Sequence, residues 1–205
     1  MRNPNRVNIY LDDEFAFGLF LINTVGLKVG QTLSQSEIDN LIEIEQIESG
    51  YQKSLRFIAY KPRTQFDIQK KLRQLGFEEN IIDQILSKLI DKQYVDDHQF
   101  AQNWIENKSV TKPRSRRIIT WELKNKKIDE DLIEALLEKM DPDDVLASRA
   151  AEKYSRRIST CDNEIFKRKL SGFLQRRGFS YSIIRPIVND LLKKRSQELI
   201  ENLNE

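Results

Sequence analysis

The chain has 205 residues and a formal net charge of +2, with 32% charged side chains, seven glycines and five prolines. This balance, rich in Leu, Ile, Lys, Glu and Gln, specifies a soluble helical protein of one or two modest domains. The longest apolar runs are too short for a bilayer-spanning helix, and a lone cysteine, Cys161, excludes an internal disulfide or a multi-cysteine zinc site.

In chain order, residues 7–19 alternate apolar and polar: Val7, Ile9 and Leu11, then Phe15, Phe17 and Leu19, on either side of Asp12-Asp13. Period-two spacing about a short acidic turn predicts a β-hairpin, although glycine would tolerate the turn's positive φ with less strain. Gly26 and Gly30 punctuate the next loop, and Ser34-Gln35-Ser36-Glu37 has the form of a capping box. An acidic helix over 35–48 follows with Ile38, Leu41, Ile42 and Ile44, and Gly50 is placed to end it. Residues 1–50 carry three basic and eight acidic side chains, a sum of −5, and read as an acidic extension; the rest of the chain sums to +7. No charged-then-apolar signal segment opens the sequence, which with the free cysteine fits a cytoplasmic protein.

Beyond residue 50 a period of 51 residues takes over. Leu72-Arg73-Gln74-Leu75-Gly76-Phe77 returns as Leu123-Lys124-Asn125-Lys126-Lys127-Ile128 and as Leu174-Gln175-Arg176-Arg177-Gly178-Phe179. Ile68, Ile119 and Leu170 keep step on one side; Ile82, Ile133 and Ile184, then Ile85, Leu136 and Ile187, keep step on the other. Self-similarity at a long fixed period marks units that bury their faces against neighbours. The predicted fold is therefore mainly α: an elongated tandem array of three three-helix repeats behind a small hairpin-containing extension. The units span 51–97, 98–140 and 141–195, with a tail at 196–205. Pro62, Pro113 and the stretch 160–162 separate first from second helices, the first unit opening near Gln52. Phe57 falls 51 residues before Lys108, so this first connection varies in length. Pro186 lies inside the last helix, which it is expected to kink or shift.

The second helices are basic. Residues 108–127 hold Lys108, Lys112, Arg114, Arg116, Arg117, Lys124, Lys126 and Lys127 against Glu122 alone, and residues 165–178 hold Lys167, Arg168, Lys169, Arg176 and Arg177 with no acid. The third helices of the first two units are acidic, with Glu78, Glu79 and Asp83, then Asp129, Glu130, Asp131, Glu134 and Glu138; the third unit departs from this, with only Arg185 and Asp190 across 180–192. Such striping suggests a polyanionic partner or a charged protein surface.

Catalytic constellations are lacking. His98 is the single histidine and has no positioned partner, so it reads as a surface or capping residue. No phosphate-cradling glycine motif occurs. Cys161 has no neighbouring histidine, and Asp96-Asp97 read as helix-capping residues rather than metal ligands. Trp104 and Trp121 fall beside Ile105 and Ile119 and read as core. Arg114, Arg116 and Arg117 follow Lys112 closely with no acid among them; each is either a solvated residue or a phosphate or carboxylate contact. A binding protein without enzymatic activity, metal or cofactor is the expectation.

Tyr94-Val95-Asp96-Asp97-His98-Gln99-Phe100-Ala101-Gln102-Asn103-Trp104 resembles the hallmark of the RecX family of recombinase regulators, with Tyr94, Asp96, Asp97, Phe100, Ala101 and Trp104 as its structural residues. Lys112-Pro113-Arg114-Ser115-Arg116-Arg117-Ile118 is similar to the family's proline- and arginine-rich second helix, and Arg63 to Phe77 to its first-unit segment. Lys127 stands where the second unit usually has the glycine that a left-handed cap favours, and Lys112 where a glycine often precedes the proline. Residues 7–19 resemble the β-rich extension of some members. The resemblance implies a cytoplasmic monomer that binds the RecA–DNA filament and lowers its ATPase and strand-exchange activity, in homologous recombination, DNA repair and the SOS response. Single- or double-stranded DNA would be touched weakly or through the filament, and no membrane is involved. For the contact stripe the reading selects Lys70, Lys71, Arg73, Arg114, Arg116, Arg117, Lys167, Arg168 and Arg177. The alternative is a direct DNA-binding repressor or architectural factor using helix-turn-helix-like units, marked by steep salt dependence without recombinase.

Overall fold

The computed structural model describes residues 5–201, which pack as two units, one ending at Asp97 and the other beginning at His98. The first opens with the antiparallel strands β1 (Arg6–Leu11) and β2 (Glu14–Phe20), Val7 facing Leu19 and Ile9 facing Phe17, with an irregularity between Ile9 and Tyr10. Asp12 (φ +47°) and Asp13 (φ +67°) both turn left-handed, the signature of a type I′ hairpin. Aspartate is among the few non-glycine residues suited to that region. Leu19 is fully buried, and the Glu45 carboxylate of the following helix accepts the Phe20 N–H at 3.0 Å and pairs with Arg6. Burial raises the Glu45 pKa, opposed by the Phe20 N–H and Arg6.

That helix, α1 (Gln35–Tyr60), starts on the expected capping box: the Ser34 hydroxyl accepts the Glu37 N–H while the Glu37 carboxylate accepts the Ser34 N–H. It does not end at Gly50. The acidic helix and the first helix of the first repeat form one 26-residue helix, without a break at Gln52. Gly50 serves a different purpose there. A Cβ at Gly50 would run into Ile85 Cδ1 and come within 3.2 Å of Phe77, so the glycine admits close approach of the helix that carries Ile85.

Helices α2 (Gln65–Gln74) and α3 (Glu79–Asp91) complete the first unit around a core of Tyr51, Ile68, Leu72, Ile81, Ile82, Ile85, Leu86, Leu89 and Val95. Helix α4 (Asp97–Val110) leads into the second unit, which holds α5 (Arg116–Lys124), α6 (Glu130–Glu138), α7 (Asp143–Ser155), a short 3-10 turn, α8 (Asn163–Arg176) and α9 (Tyr181–Glu201). One apolar core serves the second and third repeats together, running from Ala101 and Ile105 through Ile119, Leu123 and Ile133 to Leu170, Leu174 and Val188. The fold is thus mainly helical, with three three-helix repeats and one small hairpin among the described residues. The first connections differ in length as the register of Phe57 and Lys108 requires, ending at α2 from 65, α5 from 116 and α8 from 163. Helix α9 continues through Pro186, where the Ser182 carbonyl loses its helical donor. It runs on past 195 to Glu201, so the expected tail is helical that far; residues 202–205, like 1–4, lie outside the described residues.

The 51-residue period is a repeated helix ending. After α2, the Phe77 N–H returns to Leu72 O at 3.2 Å and the Gly76 N–H to Arg73 O at 3.0 Å. After α5, Ile128 bonds Leu123 (3.2 Å) and Lys127 bonds Lys124 (2.9 Å); after α8, Phe179 bonds Leu174 (3.3 Å) and Gly178 bonds Gln175 (2.9 Å). Each is a Schellman closure whose left-handed residue is Gly76, Lys127 or Gly178, with φ of +82°, +58° and +86°. Lys127 therefore keeps the left-handed cap despite its Cβ, because the buried pair Leu123 and Ile128 holds the turn closed. Lys127→Gly is expected to raise stability by about 1 kcal/mol by removing the left-handed penalty; an unchanged or lower denaturant midpoint contradicts this.

Candidate partner-binding surface

The family-motif residues turn out to be joints. Tyr94, half exposed at 51%, closes α3 by returning its N–H to Leu89 O at 2.9 Å, Gln93 being the left-handed residue (φ +58°). Val95 is buried in the first core. Asp97 caps a helix, though not its own: its carboxylate accepts the N–H of Gln65, the first residue of α2, at 2.9 Å, beside the buried cap Thr64. Asp143, the first residue of α7, does the same for Arg116, the first residue of α5, at 2.8 Å. One rule thus recurs: the opening aspartate of a repeat fastens the second helix of the repeat before it. Phe100 stacks on Trp104 with centroids 5.6 Å apart, and Ala101 is fully buried in the second core.

Burial is the main cause that raises the Asp97 pKa; the Gln65 N–H opposes it, and Asp96 and Asp67 add to it. A carboxyl whose pKa rises on folding binds protons more readily when native, so its charge costs stability at neutral pH and that cost fades as pH falls through the folded value. Asp97→Asn keeps an acceptor oxygen for Gln65 without the charge. It is expected to unfold at a higher denaturant midpoint than the parent at pH 7, the gap closing on acidification. Asp97→Ala loses the acceptor and should cost about 1–2 kcal/mol at acidic pH, and less at pH 7, where it also removes the buried charge.

The nine cations of the expected contact stripe divide by what they touch. In the first unit Lys70 is exposed, Lys71 is half-buried, and Arg73 makes a two-pronged ion pair with Glu79 at 2.6 and 2.8 Å. In the second unit Arg114 pairs with the Glu122 carboxylate, which also accepts the Trp104 indole N–H at 2.8 Å and lies 3.9 Å from Lys108. Arg116 donates its guanidinium to Met140 O, tying α5 to the α6–α7 connection. Arg177 donates to Pro113 O at 2.7 Å and lies 4.5 Å from the Phe173 ring centroid. These three arginines hold the second unit together. Arg117, Lys167 and Arg168 are exposed and have no hydrogen bond or ion pair among the described residues.

Trp121 overturns its sequence reading. It is 66% exposed, not core. Ile119 and Leu123, both fully buried, mark the inward face of α5, and a residue two positions from each points away; that spacing was the available signal. Arg117 and Lys124 lie one turn to either side of Trp121, so α5 presents a large aromatic between two cations. Lys124 also pairs with Glu130 at 2.8 Å. Exposed Trp and Arg on a rigid helix supply the residue types that dominate protein interfaces.

Among the described residues no helix is long and apolar enough to cross a membrane, and no group of three or more His, Cys, Asp and Glu side chains is placed to hold a metal ion. His98 is exposed, and Cys161 lies 3.3 Å from the Lys169 ammonium. The molecule is thus a tandem three-helix protein that exposes an aromatic between two cations on α5.

Four family descriptions match it in order: the regulatory protein RecX N-terminal domain at residues 1–34, and the first, second and third RecX three-helix domains at 51–89, 96–137 and 143–188. The chain belongs to the RecX family. Regulatory protein RecX of Bacillus licheniformis is 29% identical over 186 residues, covering 89% of this chain and 71% of the relative. That of Clostridioides difficile is 29% identical over 195 residues, covering 93% and 92%. A crystal structure of regulatory protein RecX superposes with a TM-score of 0.67 at 29% identity, covering 92% of this chain and 95% of that one.

Proposed function

We propose that this protein is a non-enzymatic cytoplasmic regulator that binds the RecA–DNA filament and lowers its ATP hydrolysis and strand exchange. Membership of a family of regulatory proteins supports the reading, and the exposed Trp121 between Arg117 and Lys124 carries it to a place on the molecule. An exposed aromatic between two cations, free to be buried on binding, suits an acidic protein surface close to DNA phosphates. Lys70 on α2, with Lys167 and Arg168 on α8, places further exposed cations on the second helices of the other repeats, and half-buried Lys71 lies beside Lys70. A filament offers the same surface on successive protomers, so several units can engage it and gain avidity. Co-sedimentation tests this: the protein should pellet with preformed RecA–DNA filaments at concentrations where it leaves naked DNA in the supernatant. Equal pelleting with naked DNA would assign it instead to direct DNA binding.

A further inference from the structure

The second unit contains a cleft of about 320 Å³ between the α4–α5 connection, α7 and the end of α8. Lys112, Lys153, Arg157 and Arg177 line it with no carboxylate, over the rings of Tyr154 and Phe173. The floor is set: the two rings lie parallel within 3°, centroids 4.0 Å apart. Arg177 is set too, held by the Pro113 carbonyl and the Phe173 face. Lys153 and Arg157 are exposed, with no ion pair among the described residues.

The cleft gathers positive charge. Burial lowers the pKa of Arg177, and its neighbours Arg114 and Arg157 lower it further; burial also lowers that of Lys108, where Arg114, Lys112 and Arg177 outnumber Glu122. Cations that repel one another in a partly enclosed space favour an anion among them. A carboxylate presents two oxygens, whereas a phosphate presents several acceptors to donors arriving from different directions and matches the guanidinium fork. Aromatic rings beside such a site suit the sugar or base attached to the phosphate.

We infer that this cleft is a binding pocket for a phosphate group, borne either by a nucleic-acid strand or by a free nucleotide. It needs no recombinase, so it stands or falls separately from the filament reading. The test compares Lys153→Glu with Arg157→Glu, two exposed residues without internal partners, against a matched reversal outside the cleft, Arg185→Glu with Lys193→Glu. Lys153→Gln with Arg157→Gln repeats the comparison without introducing negative charge. The probes are a short labelled oligothymidylate, followed by anisotropy, and ADP, followed by calorimetry. The cleft variants should weaken binding about tenfold or more, and the salt slope for the oligothymidylate should fall by about 1.4, two cations at about 0.7 each. The matched reversal should change affinity far less. Loss with the oligothymidylate alone assigns the pocket to a strand phosphate; loss with ADP as well assigns it to a nucleotide. The inference is overturned if neither probe binds the parent protein, if the matched reversal weakens binding as much, or if polyglutamate displaces the probes as effectively as unlabelled oligothymidylate.

Discussion

Gly178→Ala is expected to lower stability by about 3 kcal/mol, while Gly76→Ala, at the same place in the first repeat, costs about 1 kcal/mol. Both glycines are left-handed, at φ +86° and +82°, so both alanines bear the left-handed penalty of about 1–2 kcal/mol. Only Gly178 has neighbours. A Cβ there would overlap the Ser115 hydroxyl and stand 2.5 and 2.6 Å from Ile118 Cδ1 and Cγ1, whereas nothing lies within 4 Å of one at Gly76. Ser115 has no room to yield: it is fully buried, its hydroxyl caps Ile118, and its N–H bonds Arg177 O at 3.0 Å. Overpacking at such a site adds about 1–3 kcal/mol. Denaturant unfolding of the two variants checks the difference; equal losses would mean that the α8–α9 turn does not lock onto the start of α5.

Trp121→Ala is expected to weaken filament binding by about thirtyfold, the effect of losing a contact of ~2 kcal/mol at the centre of an interface. Stability should move by no more than ~0.5 kcal/mol, since the side chain is two-thirds exposed. Arg117→Ala should weaken binding in the same direction, also without structural loss. Arg116→Ala is the contrasting case. It frees the Met140 carbonyl of a charged donor, and its main effect should fall on the unfolding midpoint. Wild-type affinity in the Trp121 variant would remove α5 from the contact.

The repeat and its core were readable because each rests on local chemistry. Leu72, Leu123 and Leu174 each accept from the residue five positions later, the next carbonyl accepts from the left-handed residue, and helical spacing then places Ile68, Ile119 and Leu170 inside. Gly50 was not readable. A glycine ends a helix or admits a neighbour, and only Ile85 and Phe77, brought in by the fold, decide which. The stripe of nine cations has the same difficulty. Composition marks them all as surface, yet Arg177 reaches a carbonyl 64 residues away and Arg116 one 24 residues away. Asp97 was rightly read as a cap, but its client is Gln65 on another helix rather than its own. Trp121 was legible in principle, since its spacing from Ile119 and Leu123 alone places it outward.

The most direct measurement is the rate of ATP hydrolysis by preformed RecA filaments on single-stranded DNA as this protein is titrated in. The rate should fall to a plateau at protein concentrations that leave naked DNA unbound, and Trp121→Ala should shift the titration to higher concentration. A hydrolysis rate that stays flat across the range, with the protein folded and in excess over filament, would contradict regulation of the filament by this chain.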